Sequence, residues 1–287
     1  MAQMKPFFED VQSHYDLSDD FFKLFLDPTR TYSCAYFKED DYSLEQAQHA
    51  KIDLSLGKCD LAPECTLLDI GCGWGATAKR AAEKYQANVI GLTLSKNQQA
   101  YASEICSALD GDAGSVEIQL RGWEEFEQPV DRIVSIGAFE HFRSERHEAF
   151  FKKCFQLLPT GGRMMLHTIV LSSIPTLKEM GIEITPDDVA FAKFIRKEIF
   201  PGGQLCVPDR IEMMAREQGF ELSHVESLRL HYARTLDCWA NALSKAKDAA
   251  IELTSTENYE RYMKYLTGCA DFFRKGNIDV MQFTLVK

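Results

Sequence analysis

Residues 66–75, TLLDIGCGWG, constrain this chain more than any other stretch. A short apolar run ends in closely spaced glycines, and the helix-forming segment ATAKRAAEKY follows at once. That order reads as strand, tight turn and helix, with Gly71, Gly73 and Gly75 placed where a backbone must approach a ligand closely. The alternation continues through ANVIGLTL, a helix from Ser95, VEIQL, DRIVSI, a helix from about Glu145 to Leu157, and GGRMMLHTIV. Strands separated by helices imply right-handed crossovers and a parallel sheet, so the expected class is α/β. The closing IDVMQFTLVK alternates like a final strand, and its insertion antiparallel to the others fits this class.

No repeat, low-complexity tract or Pro/Gly/Ser-rich linker divides the sequence, so one domain is expected over 1–287. Residues 1–58 look helical: Phe21, Phe22, Leu24, Phe25 and Leu26 follow the cap-like Ser18-Asp19-Asp20, and Ser43-Leu44-Glu45-Gln46 has the form of a capping box. Between them lies the aromatic loop TYSCAYF at 31–37. The core with the glycine turn occupies 59–170. Residues 171–207 leave its rhythm as a mostly helical insertion, and 208–287 complete the sheet with a helix at 208–218, a strand near 220–230 and two helical stretches in 231–275.

The formal charge is −11, from 43 acidic and 32 basic residues, so nucleic acid is not an expected partner. Nine cysteines contain no CxxC pair, which points away from a metal site and towards reduced thiols in the cytoplasm. The N-terminus lacks a basic region followed by an apolar one, and no apolar stretch approaches the ~18 residues of a membrane helix.

A dinucleotide-binding turn reads GxGxxG, with an acid about 20 positions later at the end of the second strand. Here the spacing is GxGxG, and the second strand ends in Gly91-Leu92-Thr93-Leu94-Ser95 without that acid. A cationic sulfonium with an amino acid tail suits such a turn better than a pyrophosphate, which narrows the ligand towards S-adenosylmethionine, although taken alone such a loop also fits a structural glycine turn. Asp69 is expected to brace the amides of the turn. Thr93 and Gln98 offer a hydroxyl and an amide for a ribose, and Trp123 and Glu124 can flank an adenine. Taken alone, Thr93 and Gln98 also fit a helix cap, and Trp123 and Glu124 also fit surface side chains.

The segments HYDLSDDFF, FLDPTRTYSCAYF, LLDIGCGWGATAKRA, VIGLTLSKNQ, VDRIVSIGAFEHF, EIFPGG, HYARTLD and ERYMKYLTGCA resemble mycolic acid cyclopropane synthases over nearly the whole chain. The resemblance implies a class I S-adenosylmethionine-dependent methyltransferase fold, with a Rossmann-like, mostly parallel seven-stranded sheet. It implies action on cis double bonds of very long acyl chains presented on acyl carrier protein. Cofactor contacts are implied at Tyr32 and Ser33, at Leu67, Leu68, Asp69, Ile70, Gly71, Cys72, Gly73, Trp74 and Gly75, at Thr93, Leu94, Ser95, Lys96, Asn97 and Gln98, at Trp123 and Glu124, and at Ile136. A general-base site around bound bicarbonate is implied at Cys34, Glu140, His167 and Tyr232, and Cys269 matches a cysteine often designated catalytic.

By themselves these last residues also fit a helix N-terminal pair (Glu140-His141), a hydrogen-bonded core histidine, a packing tyrosine and buried apolar thiols. Tyr15, Tyr32, Phe139 and Tyr232 are candidate aromatic faces for a cation. In AFAKFIRKEIF, Phe191, Phe194, Ile195, Ile199 and Phe200 form an apolar face, while Lys193, Arg196 and Lys197 carry positive charge. The pattern fits a wall of a lipid pocket that docks an acidic carrier, and fits an ordinary amphipathic helix equally. Same-family methyl-branching or hydroxylating chemistry, and a noncatalytic binding module, are the rival readings.

Overall fold

The computed structural model describes Pro6, residues 19–109 and residues 111–287. Ser18 and Tyr15 of the sequence reading lie outside these residues. Seven strands, β1 (Thr66–Ile70), β2 (Asn88–Thr93), β3 (Val116–Leu120), β4 (Arg132–Ile136), β5 (Arg163–Leu171), β6 (Glu221–Ser227) and β7 (Ile278–Val286), form one sheet in the order β3-β2-β1-β4-β5-β7-β6. The first five are parallel, and β7 runs antiparallel between β5 and β6. This is the α/β sheet that the alternation predicts and the class I methyltransferase architecture that the resemblance implies.

Side-chain alternation along β1 divides the core. Leu68 and Ile70 join Trp123, Phe150 and Phe151 on one face, whereas Leu67 packs on the other with Ile52, Leu56 and Ala78. Helices α1 (Asp19–Lys23) and α2 (Leu44–Lys58) precede the sheet, and α3 (Ala76–Tyr85) and α4 (Lys96–Ser107) link its first three strands. The capping box expected at Ser43 is present: its hydroxyl accepts from the Gln46 amide at 3.2 Å, and Gln46 Oε1 accepts from the Ser43 amide at 2.8 Å. Buried Phe21, Phe22 and Phe25 lead the chain into the extended aromatic loop.

After α5 (His147–Leu157) and β5, the insertion folds as α6 (Ile174–Glu179), α7 (Pro186–Phe194) and a π-helical turn (Ile195–Ile199). Helix α8 (Pro208–Glu217) then leads to β6. The expected strand at 220–230 stops at Ser227, because Leu228 O already accepts the Tyr232 amide in the first turn of α9 (Arg229–Lys245). Residues 231–275 also hold more than the two expected helical stretches: α9 is followed by α10 (Lys247–Leu253) and α11 (Thr256–Lys275). The break at Ala246 uses neither Gly nor Pro; its amide is shared between the carbonyls of Ala242 and Leu243. Ser255 then caps α11 by accepting from the Asn258 amide at 3.1 Å.

The insertion is seated on α11, where Gly268 leaves room for Phe191; a Cβ there would overlap the ring. Phe191 meets Phe272 edge-on at 4.7 Å, and Phe200 meets Tyr265 at 5.5 Å. Among the described residues no helix is long and apolar enough to cross a membrane.

Gly75 precedes α3 with φ +88°, and a Cβ on it would lie 2.8 Å from Ala102 Cβ on α4. Left-handed strain and overlap with a rigid neighbour make Gly75→Ala destabilising by about 2–4 kcal/mol. A urea midpoint within error of the wild type would show that α3 and α4 separate freely.

Candidate active site

Strand order reverses between β1 and β4, and the carboxyl ends of these strands open a crevice. The amides of Gly71 and Cys72 both donate to Leu92 O, at 3.0 and 2.9 Å, clamping the glycine turn onto the end of β2. Asp69 does not brace these amides as expected. It shares its face of β1 with Leu67, towards α2, and its Oδ2 is buried with no hydrogen-bond partner among the described residues. Burial pushes its carboxyl up to about 7, against the opposing pull of the Lys51 ammonium.

Ile70, Gly71, Gly73, Thr93, Leu94, Gln98, Trp123 and Glu124 line the crevice together. Thr93 Oγ1 donates to Gln98 Oε1 at 2.8 Å and accepts from the Ser95 amide at 3.2 Å, so the pair stiffens the end of β2 while facing the ligand space. Ser95 caps α4 through the Gln98 amide. Sequence reasoning missed Arg121, Ala138, His141, Phe142 and Arg146, which line the same crevice. Arg146 holds Glu124 in an ion pair at 2.6 Å, and Glu124 still has its carboxyl raised by burial.

Other expected cofactor residues stand behind this wall. Leu67, Leu68, Cys72, Trp74 and Gly75 are in the core or the turn, Ile136 ends β4, and Lys96 and Asn97 are exposed on the first turn of α4. Tyr32 donates to the Tyr265 hydroxyl at 3.2 Å, and Ser33 Oγ accepts from Lys51 Nζ at 2.8 Å.

Beyond β4, Phe139, Glu140 and His141 make one 3₁₀ turn, rather than the helix N-terminal pair that Glu140-His141 also fitted. Glu140 Oε1 accepts from the Ile169 amide of β5 at 2.7 Å, and its Oε2 is buried without a partner among the described residues. Burial lifts the carboxyl to about 7, although the Ile169 amide favours its charged form. The insertion returns across this turn, where the Gln204 amide donates to Glu140 O at 2.9 Å.

Tyr232 is buried, and its hydroxyl lies in the electrostatic reach of Cys34, Tyr32, Glu140 and Cys269; burial first, then these neighbours, push its pKa well up. The structure therefore brings three of the five expected catalytic side chains, Cys34, Glu140 and Cys269, around the hydroxyl of a fourth, Tyr232. Burial also pushes the thiols of Cys34 and Cys269 far above their usual range, so neither is a thiolate nucleophile at neutral pH. His167, on β5, is kept neutral by burial and by the cations of Lys51 and Lys58. Its Nδ1 meets Gln282 Nε2 at 3.2 Å, and its Nε2 is buried without a partner among the described residues. Phe139 departs from its expected role as a cation-facing ring: it stacks on His147 at 4.2 Å in the core on the α5 side.

Lys51, Ser55, Lys58 and Gln282 were not singled out in the sequence. The signal was there for Lys51: it falls beside Ile52 and one turn before Ser55 and Leu56 on the buried stripe of α2, and it is fully buried.

Because folding raises the Glu140 pKa from 4.5 to about 7, protonation there favours the folded state below about pH 4.5, and that contribution is lost as pH rises through about 7. Glu140→Gln should melt close to the wild type at the acid end and become the more stable protein above neutrality, by on the order of 1–3 kcal/mol. Thermal melts across this range check it; a difference that does not vary with pH would show that the buried charge carries no cost.

The model of the family described as mycolic acid cyclopropane synthetase matches residues 2–283. Cyclopropane mycolic acid synthase 3 of Mycobacterium tuberculosis is 56% identical over 286 residues, covering 100% of this chain and 99% of that protein. The solved structure of the cyclopropane synthase MmaA2 from Mycobacterium tuberculosis superposes with a TM-score of 0.97 at 55% identity, covering 99% of each chain. That of mycolic acid cyclopropane synthase CmaA1 complexed with SAH and CTAB gives 0.95 at 56% identity, again over 99% of each. The chain is thus an enzyme of the S-adenosylmethionine-dependent methyltransferase class, and it belongs to the mycolic acid cyclopropane synthetase family.

Proposed function

We propose that the chain transfers a methylene group from S-adenosylmethionine to a cis double bond of a long, meromycolyl-type acyl chain, closing a cyclopropane ring. The observation that carries this reading is the buried cluster beside the glycine crevice: Glu140 Oε2 has no hydrogen-bond partner among the described residues and lies within the electrostatic reach of a protonated Tyr232, and His167 Nε2 on β5 is likewise buried without a partner among them. S-adenosylmethionine supplies an electrophilic methyl group. Its methionine and ribose ends fit the glycine turn and the Thr93–Gln98 pair, and its adenine fits the end of the crevice lined by Gly122, Trp123 and Glu124. Tyr32, Ser33, Asp69 and the remaining residues of the resemblance complete its surroundings.

An alkene is a weak nucleophile, so the enzyme's task is to hold both partners in attack geometry away from water. Attack breaks the S–CH3 bond and leaves a carbocation on the acyl chain. Loss of a proton from the new methyl group then closes the ring. A small anion with one hydroxyl suits the unmet acceptor at Glu140 and the donors at Tyr232 and His167, and bicarbonate has that form. When bound, bicarbonate supplies the base for that proton. Glu140 would orient it by accepting its hydroxyl, and His167 and Tyr232 would hold its oxygens. Tyr32 and Tyr232 present aromatic faces to the cation, each stabilising it by about 0.5–2 kcal/mol. The two cysteines, kept as thiols, do not capture it.

The insertion at 171–207 supports the lipid reading. Phe191, Phe194 and Ile199 face inward onto α11, while Ile174, Met180, Ile184 and Val189 are exposed apolar side chains. Lys193, Arg196 and Lys197 point outwards, which suits docking of an acidic acyl carrier protein in the cytoplasm.

Incubation with labelled S-adenosylmethionine and an unsaturated acyl substrate tests the reading. The expected product has gained one CH2 and lost its double bond. A methyl-branched alcohol or alkane would reassign the fate of the cation, and tight cofactor binding without transfer would make the chain a binding module. Glu140→Gln should keep cofactor affinity and slow ring formation by about 10²–10⁴-fold; turnover near the wild type would remove Glu140 from the mechanism. Reversing the charges of Lys193, Arg196 and Lys197 should weaken carrier binding most at low salt. Unchanged affinity would eliminate that docking surface.

A further inference from the structure

We propose that Lys58 and Gln282 are positioning residues that fix His167 as the tautomer protonated at Nε2, making it a hydrogen-bond donor to the site and not the base of the reaction. The proposal deepens the reading above and rests on it for its chemical consequence. Its structural half stands on hydrogen-bond bookkeeping alone.

His167 and Gln282 face one another in the antiparallel pairing of β5 with β7, so backbone register sets their separation. Gln282 Oε1 accepts from Lys58 Nζ at 2.6 Å, and Lys58 Nζ also contacts Glu226 Oε2 at 2.5 Å. An ammonium has donors only, so the side of the amide facing Lys58 must be its carbonyl oxygen. Glu226 favours the charged form of Lys58 against the pull of burial.

A second constraint gives the same answer independently. Ser55 Oγ donates to Lys51 O at 2.8 Å and has no further proton, so towards Gln282 at 3.0 Å it can only accept. Its partner must be the amide nitrogen. With both ends assigned, Gln282 Nε2 donates to Ser55 Oγ and to His167 Nδ1. An amide NH2 accepts nothing, so Nδ1 of His167 carries the lone pair. The ring is held neutral, and its single proton therefore resides on Nε2, the nitrogen that is buried without a partner among the described residues.

Histidine-labelled full-length protein, read by long-range proton–nitrogen correlation near pH 7, tests the assignment, with the His167 signal identified by its loss in His167→Gln. The wild type should show a protonated Nε2 and a bare Nδ1. In Gln282→Glu the facing group is a carboxylate that only accepts, so a proton should appear on Nδ1. Lys58→Arg should preserve the wild-type pattern, and Lys58→Met, which leaves the amide held only by a serine hydroxyl that can turn and donate, should mix the two tautomers. Gln282→Glu should also slow ring formation by roughly 10- to 100-fold while S-adenosylmethionine affinity stays unchanged.

A proton on Nδ1 in the wild type, or a bare Nδ1 in Gln282→Glu, would overturn the relay. The wild-type spectrum decides even where a variant does not fold. A changed tautomer with undiminished ring formation would overturn the donor role. Should the wild type make no ring at all, the spectrum still reads the tautomer, so failure of the functional reading and failure of the relay remain separate results.

Discussion

The turns that follow β1 and β4 touch, and the rest of the site depends on that contact. Gly71 holds φ +82°, and a Cβ on it would overlap Cβ of Ala138, so only a residue without a side chain lets the two turns close. Leu92 O secures the first turn through two amides, and the second continues straight into Glu140, two residues after Ala138. The cofactor crevice and the acid cluster therefore share one wall. A change that separates these turns moves both halves of the reaction at once.

Dehydration gives this wall its chemical character. Burial raises the carboxyls of Asp69 and Glu140, the thiols of Cys34 and Cys269 and the hydroxyl of Tyr232, and lowers His167. Every one of these groups is pushed towards its neutral form, as suits a pocket for an apolar chain and a cation with few nucleophiles near it. Lys51 is the contrasting case: fully buried and lowered to about 8, it hydrogen-bonds Ser33 Oγ while its charge reaches Cys34, Asp69 and His167. One ammonium thus touches both the cofactor side and the base side of the site.

Local signals in the sequence were read well because they are resolved within a few residues. The glycine turn, the strand–helix alternation and the Ser43 capping box depend on neighbours in the chain, and so do Thr93 and Gln98 at a strand end. Glu140, His167, Tyr232 and the cysteines were legible only through family resemblance, since their types and spacings equally describe ordinary core positions. Asp69 was misread because the glycine turn draws attention to its sequence position, whereas strand alternation turns its side chain to α2. Gln282 was invisible for another reason. Its meaning comes from cross-strand register with His167, 115 positions away, and from a lysine on a third element. The break at Ala246 was missed because it carries no helix-breaking residue.

The placement of β7 bears on how the protein comes to be made. It follows every other strand in chain order, yet it sits between β5 and β6, and among the described residues β6 pairs with no strand but β7. A ribosome that has delivered β5 must add about a hundred residues, from Leu171 to Ile278, before the partner of that edge exists. At about 5–20 residues per second, that leaves an unpaired apolar edge for roughly 5–20 s. Such edges recruit other chains. The nascent polypeptide thus passes through a window in which its insertion and C-terminal helices, or a chaperone, must shelter the very strand that bears His167.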